Sequence, residues 1–245
     1  YGAPARWIPA AAQEEAALAG VTVVGPTEVL ATHLLEVIRR NFARLLSLKS
    51  LRRLLDECTN LSDPTRAEAN RRLLDELIPD KVPIDLLLSV LRLLLDERVS
   101  IRNLPLILEA VAEARGGSPE AVCEHVRRRL GFQLVAEIRR EDGTVPLLQL
   151  APEWEDTFSA HQIEGERGMT DVALPPEKFN RLATNVAERI AKSGENGIFP
   201  AIITSSRRRR FIRTVLGARG ISAPVLSFDE LGFDARPAIV GVVAA

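Results

Sequence analysis

Ile84-Asp85-Leu86-Leu87-Leu88-Ser89-Val90-Leu91-Arg92-Leu93-Leu94-Leu95-Asp96 is the stretch on which the fold turns. Leu86, Leu87, Leu88, Leu91, Leu93, Leu94 and Leu95 surround a helix on most sides. A helix that is apolar nearly all round belongs at the centre of a bundle. Outward from it, between Leu48 and Gly131, almost every periodic segment is helical and the breaks are readable. Asp63-Pro64 starts a helix, because Pro is tolerated in the first turn, and Pro79 and Pro83 interrupt one. Ser100 is set to cap the next, and Gly116-Gly117 before Ser118-Pro119 ends it. About four or five helices follow.

On the N-terminal side, Thr27 is set to cap a long amphipathic helix after Gly25-Pro26, with Leu30, Leu34, Val37, Ile38, Phe42 and Leu45 at spacings of three and four. Before it, Arg6-Trp7-Ile8 and the Val21-Thr22-Val23-Val24 run flank an alanine- and glutamate-rich turn or two of helix. The β-branched run reads as a strand. Past Gly131 the helical period gives way to a strand period. Leu134–Arg139 and Val145–Leu150 flank Asp142-Gly143, the signal of a hairpin. A short helix near Glu153 and a disordered-looking Glu164–Gly168 come next, then a helix from Pro176 to about Lys192. Strand 199–203, helix 206–216, strand 224–228 and strand 238–243 complete a small α/β unit. The fold class is α+β with several subdomains: 1–47 the end of a small α/β part with its long helix, 48–131 all helical, and 132–245 α/β.

Composition excludes more than it proves. Hydrophobic residues are 46%, charged 27% and aromatic 4%, the profile of an ordinary globular chain with an aliphatic core. The 32 basic and 33 acidic residues leave a net charge of -1, no global field for nucleic acid or an anionic membrane. No run approaches the roughly 18 apolar residues of a membrane span, so the chain reads as soluble. It opens at Tyr1 without Met and reads as a fragment. Two cysteines, Cys58 and Cys123, provide neither a disulfide framework nor zinc spacing.

No catalytic constellation emerges. G-x-G-x-x-G, Walker A, H-E-x-x-H, G-x-S-x-G and C-x-x-C are all missing, and only three histidines are present. His33 lies within the long helix, Cys123 and His125 point to different sides of theirs, and His161 borders a loop. Paired carboxylates such as Asp96-Glu97 and Glu141-Asp142 are sequence neighbours on apparent surfaces. No cofactor or metal is expected. One feature of another class stands out: Arg207-Arg208-Arg209-Arg210, following Ser205-Ser206 and a buried strand. A helix N-terminus there, capped by Ser206, would suit a phosphate or a nucleic-acid backbone. Four successive arginines point in all directions on a helix, however, and a solvated or intersubunit ion-pairing helix is the preferred reading.

The segment Tyr1-Gly2-Ala3-Pro4-Ala5-Arg6-Trp7-Ile8 resembles the Y/F-G-x-P-x-x-W-I run of the FlhA family, the flagellar and type III secretion export gate proteins. Gly20-Val21-Thr22-Val23-Val24-Gly25-Pro26 through Ala31-Thr32-His33-Leu34 is similar to its G-Y-T-V-V-x-P…A-T-H-L block. Leu77-Ile78-Pro79, Val99–Leu104, Ile107–Ala110 and Glu124-His125-Val126-Arg127 with Leu130-Gly131 continue in step over about residues 1–135. The last third agrees in element order more than in residues.

The resemblance implies a platform rather than an enzyme. Family members have an N-terminal membrane portion and a cytoplasmic domain that assembles into a ring, a nonamer, beneath the export channel at the bacterial inner membrane. The C-terminal subdomain, 132–245, is implied as ring-building. Partners implied are export chaperone–substrate complexes, the export ATPase complex and other export apparatus proteins, with no nucleic acid and with membrane contact only through the N-terminal region. Family dimple positions fall on Tyr1 and Thr32, with Val24 on the approach; a flagellar member is favoured over an injectisome one.

Overall fold

The computed structural model of the protein describes residues 5–164 and 170–245, and the chain divides into two compact units, Tyr1–Leu45 and Leu46–Ala245. In the first, a 3-10 turn at Ala10–Ala12 runs into α1 (Gln13–Leu18), followed by α2 (Pro26–Arg40) and α3 (Phe42–Leu45). Val21–Val24, expected as a strand, has no regular structure. No strand pairs with it among the described residues, and an isolated strand lacks the ladder that would hold it. The cap of α2 is Gly25 rather than Thr27. Pro26 takes the first helical position, and the Gly25 N–H donates to Glu28 Oε2 at 3.1 Å.

The second unit opens with five helices, α4 (Leu48–Thr59), α5 (Pro64–Leu77), α6 (Ile84–Asp96), α7 (Leu104–Glu113) and α8 (Pro119–Arg129). Ser47 Oγ, the Asp63 carboxylate and Ser118 Oγ accept first-turn N–H groups of α4, α5 and α8. Asn103, not Ser100, is the N-cap of α7, because Pro105 sits in its first turn and Ser100 Oγ accepts only the Arg102 N–H of the preceding loop, at 3.5 Å. The leucine-rich α6 is central as expected. Leu87, Val90, Leu91 and Leu94 are fully buried, while Asp85, Arg92 and Asp96 keep one edge wet.

The expected hairpin is absent. Residues Gly131–Ile138 form helix α9, and Asp142-Gly143 makes the tight turn from that helix into β1 (Thr144–Leu150). Gly143 has φ 80, its N–H donates to the Arg140 carbonyl at 2.9 Å, and Asp142 Oδ1 accepts the Thr144 N–H at 2.8 Å. The physical reason is the period. Leu130, Leu134, Val135 and Ile138 fall on one helical face against the core, which outweighs a run that also reads as alternating. Gly131 fits this start because a Cβ there would run into the Glu230 carbonyl oxygen.

After β1 come α10 (Pro152–Ala160), the antiparallel pair β2 (Gln162–Glu164) and β3 (Thr170–Val172), and α11 (Pro176–Glu195). The expected disordered run falls, from Gly165 on, outside the described residues. Then follow β4 (Ala201–Thr204), α12 (Ser206–Ala218), β5 (Val225–Ser227), a 3-10 turn at Phe228–Glu230 and β6 (Arg236–Val243). The four-stranded sheet has the order β5-β4-β1-β6 and every pair in it is parallel. Buried on both faces, β1 shows the continuous apolar run of a parallel strand.

Alternate strand residues feed two cores. Val145, Leu147, Ala201, Ile203 and Leu226 face the helical bundle and α9, whereas Leu148, Ile202 and Val225 face α10, α11 and α12. The bundle and one sheet face therefore share a single core, and residues expected as two subdomains pack as one unit.

Candidate docking surface

Within the first unit, Ala43 is the one buried residue among those described, although the segment is rich in apolar side chains. Leu30, Leu34, Val37 and Ile38 make a stripe along α2, and all four are exposed, Leu30 to 67%. Val24, immediately before the Gly25 cap, is half exposed at 48%. Thr32 lies on the second turn and is exposed. At about 100° per residue it falls on the side of the helix away from that stripe, flanked by Val29 and Leu35. Both flanking side chains are themselves half exposed. Tyr1, the third residue of the expected dimple, lies outside the described residues. What the described part presents is an apolar surface with a hydroxyl on one side, suited to receiving an amphipathic partner and without a group that does chemistry.

The four-arginine run behaves differently from either expected reading. Ser205, not Ser206, is the N-cap of α12, and its side chain makes no capping hydrogen bond. Arg208 and Arg209 are buried at 1% and 0% exposure. Arg209 Nη1 and Nη2 donate to Glu97 Oε2 and Oε1 at 2.5 and 3.0 Å, and its Nε donates to Glu124 Oε2 at 2.7 Å. A further bond joins Nη2 to Glu124 Oε1. Arg208 Nε donates to Glu155 Oε1 at 2.9 Å and Nη2 to Ser159 Oγ at 3.3 Å, with the guanidinium 5.9 Å from the centre of the Phe158 ring. Arg207 and Arg210 reach the surface, and Arg210 Nη2 is 3.6 Å from Glu120 Oε1. Three of the four, Arg208, Arg209 and Arg210, thus pair with carboxylates of this chain, and two of the three are buried.

Burial shapes the electrostatics here. Desolvation alone would raise the Glu97 carboxyl, but the hydrogen bonds and charge of Arg209, with Arg127 and Arg213, outweigh it and hold the pKa below the ordinary glutamate value. Desolvation likewise opposes the Arg209 charge, yet Glu124 and Glu97 keep its pKa above the usual arginine value. The neighbouring Cys123 thiol is pushed up to about 12 by burial and by Glu97 and Glu124, so it is a packing group and not a nucleophile.

The remaining candidates do not assemble into a site. His33 is exposed, His125 Nε2 lies 3.3 Å from Glu113 Oε2, and the His161 Nδ1 atom is 2.8 Å from the Thr157 carbonyl. No group of three His, Cys, Asp or Glu side chains among the described residues could hold a metal ion. A shallow groove between α5 and α7, lined by Leu73, Glu76, Leu77, Lys81, Glu109 and Arg115 among others, mixes both charge signs and converges on no reactive group. No helix among the described residues is long and apolar enough to cross a membrane.

Sequence reasoning missed two features. Glu97, Glu124, Arg127 and Glu230 surround the buried arginines, and the one local signal was the three-residue spacing of Glu124 and Arg127, which puts both on one helical face. Phe132, Phe228 and Phe233 are exposed on α9 and around the 3-10 turn that packs on it, and no pattern in the sequence set them apart.

Known proteins match along the whole chain. It is 36% identical to flagellar biosynthesis protein FlhA of Caulobacter vibrioides over 99% of its own length and 34% of that protein. With FlhA of Bacillus subtilis the identity is 27%, over 99% of this chain and 35% of that one. The chain thus spans about a third of these curated relatives. Among solved structures, nonameric EPEC SctV-C superposes with a TM-score of 0.74 at 21% identity, over 96% of this chain and 68% of that one. The Shigella flexneri MxiA protein gives 0.72 at 22% identity, over 91% and 70%. These likenesses establish the fold. Residues 1–236 match the FHIPEP family, and the chain belongs to it.

Proposed function

We propose that this chain is the docking part of a flagellar type III protein export gate: it receives export chaperone–substrate complexes and takes its place in a ring at the cytoplasmic face of the bacterial inner membrane. The observation that carries the reading is the first unit, which buries Ala43 alone among its described residues and leaves α2 and Val24 apolar and open. Membership of the FHIPEP family supports it, and the flagellar choice rests on relatives that carry flagellar names. Tyr1, Val24 and Thr32 are assigned to the dimple that grips the complex, with a helix or an extended segment of the chaperone as the occupant.

Ring assembly is proposed by likeness to nonameric SctV-C and the nonameric EscV cytosolic domain. Residues 132–245 have the exposed Phe132, Phe228 and Phe233 to offer to neighbouring copies. Another export apparatus protein as partner belongs to the same reading, which is supported by the solved complex of the Chlamydia pneumoniae CdsV and CdsO proteins. The work is recognition and hand-over, not bond making.

Calorimetric titration of the chain with a flagellar export chaperone bound to its filament-type substrate tests this. Saturable heat at a one-to-one ratio is expected. Titration of a folded chain without heat, at micromolar concentrations and at two temperatures, overturns the docking assignment.

A further inference from the structure

Helical bundle and sheet layer meet across a connected band of charge. From the bundle come Glu97, the C-cap just past α6, and Glu124 and Arg127 on α8. The sheet layer contributes Arg209 on α12 and Glu230 from the 3-10 turn after β5. Arg209 forks onto both bundle carboxylates. Arg127 closes the circuit in the other direction, with Nη1 at 3.1 Å from Glu97 Oε2 and Nε donating to Glu230 Oε1 at 2.7 Å. Its Nη2 donates to the Val225 carbonyl at 3.2 Å, and Glu230 Oε2 accepts the Ser227 N–H at 2.8 Å. Beside them Arg213 donates to the Ala223 and Ile221 carbonyls. Three carboxylates thus face the guanidinium groups of Arg127 and Arg209, with Arg213 close by.

Apolar packing at this boundary is non-directional, so the shared core fixes that the layers adhere but not the angle at which they do. Paired guanidinium–carboxylate forks fix distance and direction together. Buried ion pairs are weak sources of stability, but a layer displaced from this angle would leave a buried charge without its partner, and that is strongly penalised.

We infer that the Arg209–Glu97–Arg127–Glu230 network is an orientation latch, which holds bundle and sheet at one angle and makes residues 46–245 move as a single body. A rearrangement of the chain that changes this angle has to open the latch first. The carboxyl of Glu97, faced by Arg209, Arg127 and Arg213 and bordered by the neutral Cys123 thiol, stays ionised at neutral pH and keeps the latch closed.

The test places spin labels at Asp85→Cys on α6 and Ala218→Cys at the end of α12, both exposed, in a Cys58→Ser chain whose Cys123 is buried. A single narrow distance is expected for this parent. In Glu97→Gln/Glu124→Gln/Arg209→Met/Arg127→Met/Glu230→Gln, which removes the charges of both forks and retains the apolar core, the distribution broadens about twofold or more, as layers held by non-directional packing should. A folded fivefold variant with a distribution as narrow as the parent overturns the latch. Native-state hydrogen exchange on the unaltered chain decides independently of how any variant folds. Amides of α8 and α12 released in one common opening support it; α12 exchanging through a separate, easier opening contradicts it.

Discussion

The two compact units spend their residues in opposite ways. In Tyr1–Leu45 apolar side chains lie open, from Trp7 and Leu18 to the stripe on α2, and Ala43 alone is buried among those described. In Leu46–Ala245 two apolar cores flank a sheet, and charged residues are buried with them: Arg127, Arg208, Arg209 and Glu230. Contiguous apolar surface marks a place where something binds. A charge inside is held there by a partner whose loss would be strongly destabilising. Stability and recognition should therefore separate cleanly on mutation.

The largest expected effect is in the second unit. Arg209→Met takes from the half-buried Glu97 and Glu124 their shared partner and leaves Glu97 with Arg127 alone, and urea unfolding should show a loss of about 3 kcal/mol, the low end for a broken buried pair. Restoring neutrality with Glu97→Gln and Glu124→Gln should recover much of it. The same interaction sets an acid limit. Because the folded pKa of Glu97 is depressed, its contribution is complete above the ordinary glutamate value and is lost as pH falls through the lower folded one. Thermal melts followed downward from pH 7 should stay flat on its account until below about pH 4.5, the ordinary glutamate value. A melt that weakens around pH 6 would place the dependence on other groups.

Next in size is Gly131→Ala, at about 1–3 kcal/mol, since the new Cβ meets the Glu230 backbone rather than a side chain that could swing away. Smallest is Leu30→Ser on the exposed stripe of α2, expected within about 0.5 kcal/mol of the parent in unfolding, as for a surface position. A loss above 2 kcal/mol there would erase the contrast between the units.

Much of this architecture was legible. The packed stripe of α6 and the Pro and Gly breaks between helices stood in the sequence because each acts within a few residues. Caps slipped by one to three positions. Thr27, Ser206 and Ser100 have suitable side chains, yet Gly25, Ser205 and Asn103 occupy the caps; at Gly25 and Asn103 a Pro in the first turn sets the start as much as a capping hydroxyl would. Helix α9 was misread because eight residues of apolar pattern fit both periods, and only the neighbours decide.

The buried arginines were unreadable for a different reason. Glu97 and Glu124 are 112 and 85 residues from Arg209 in the chain, and nothing near Arg209 announces partners that far away. The docking residues came from the family resemblance and not from spacing. On its own, the pattern of α2 says only that one face is apolar.

Side-by-side calorimetry of Thr32→Met and its parent against the same chaperone–substrate complex, with melting curves on both, is the most direct measurement. The account predicts markedly weaker binding for Thr32→Met at an unchanged melting temperature. Equal affinity in the two proteins, with both fully folded, contradicts it.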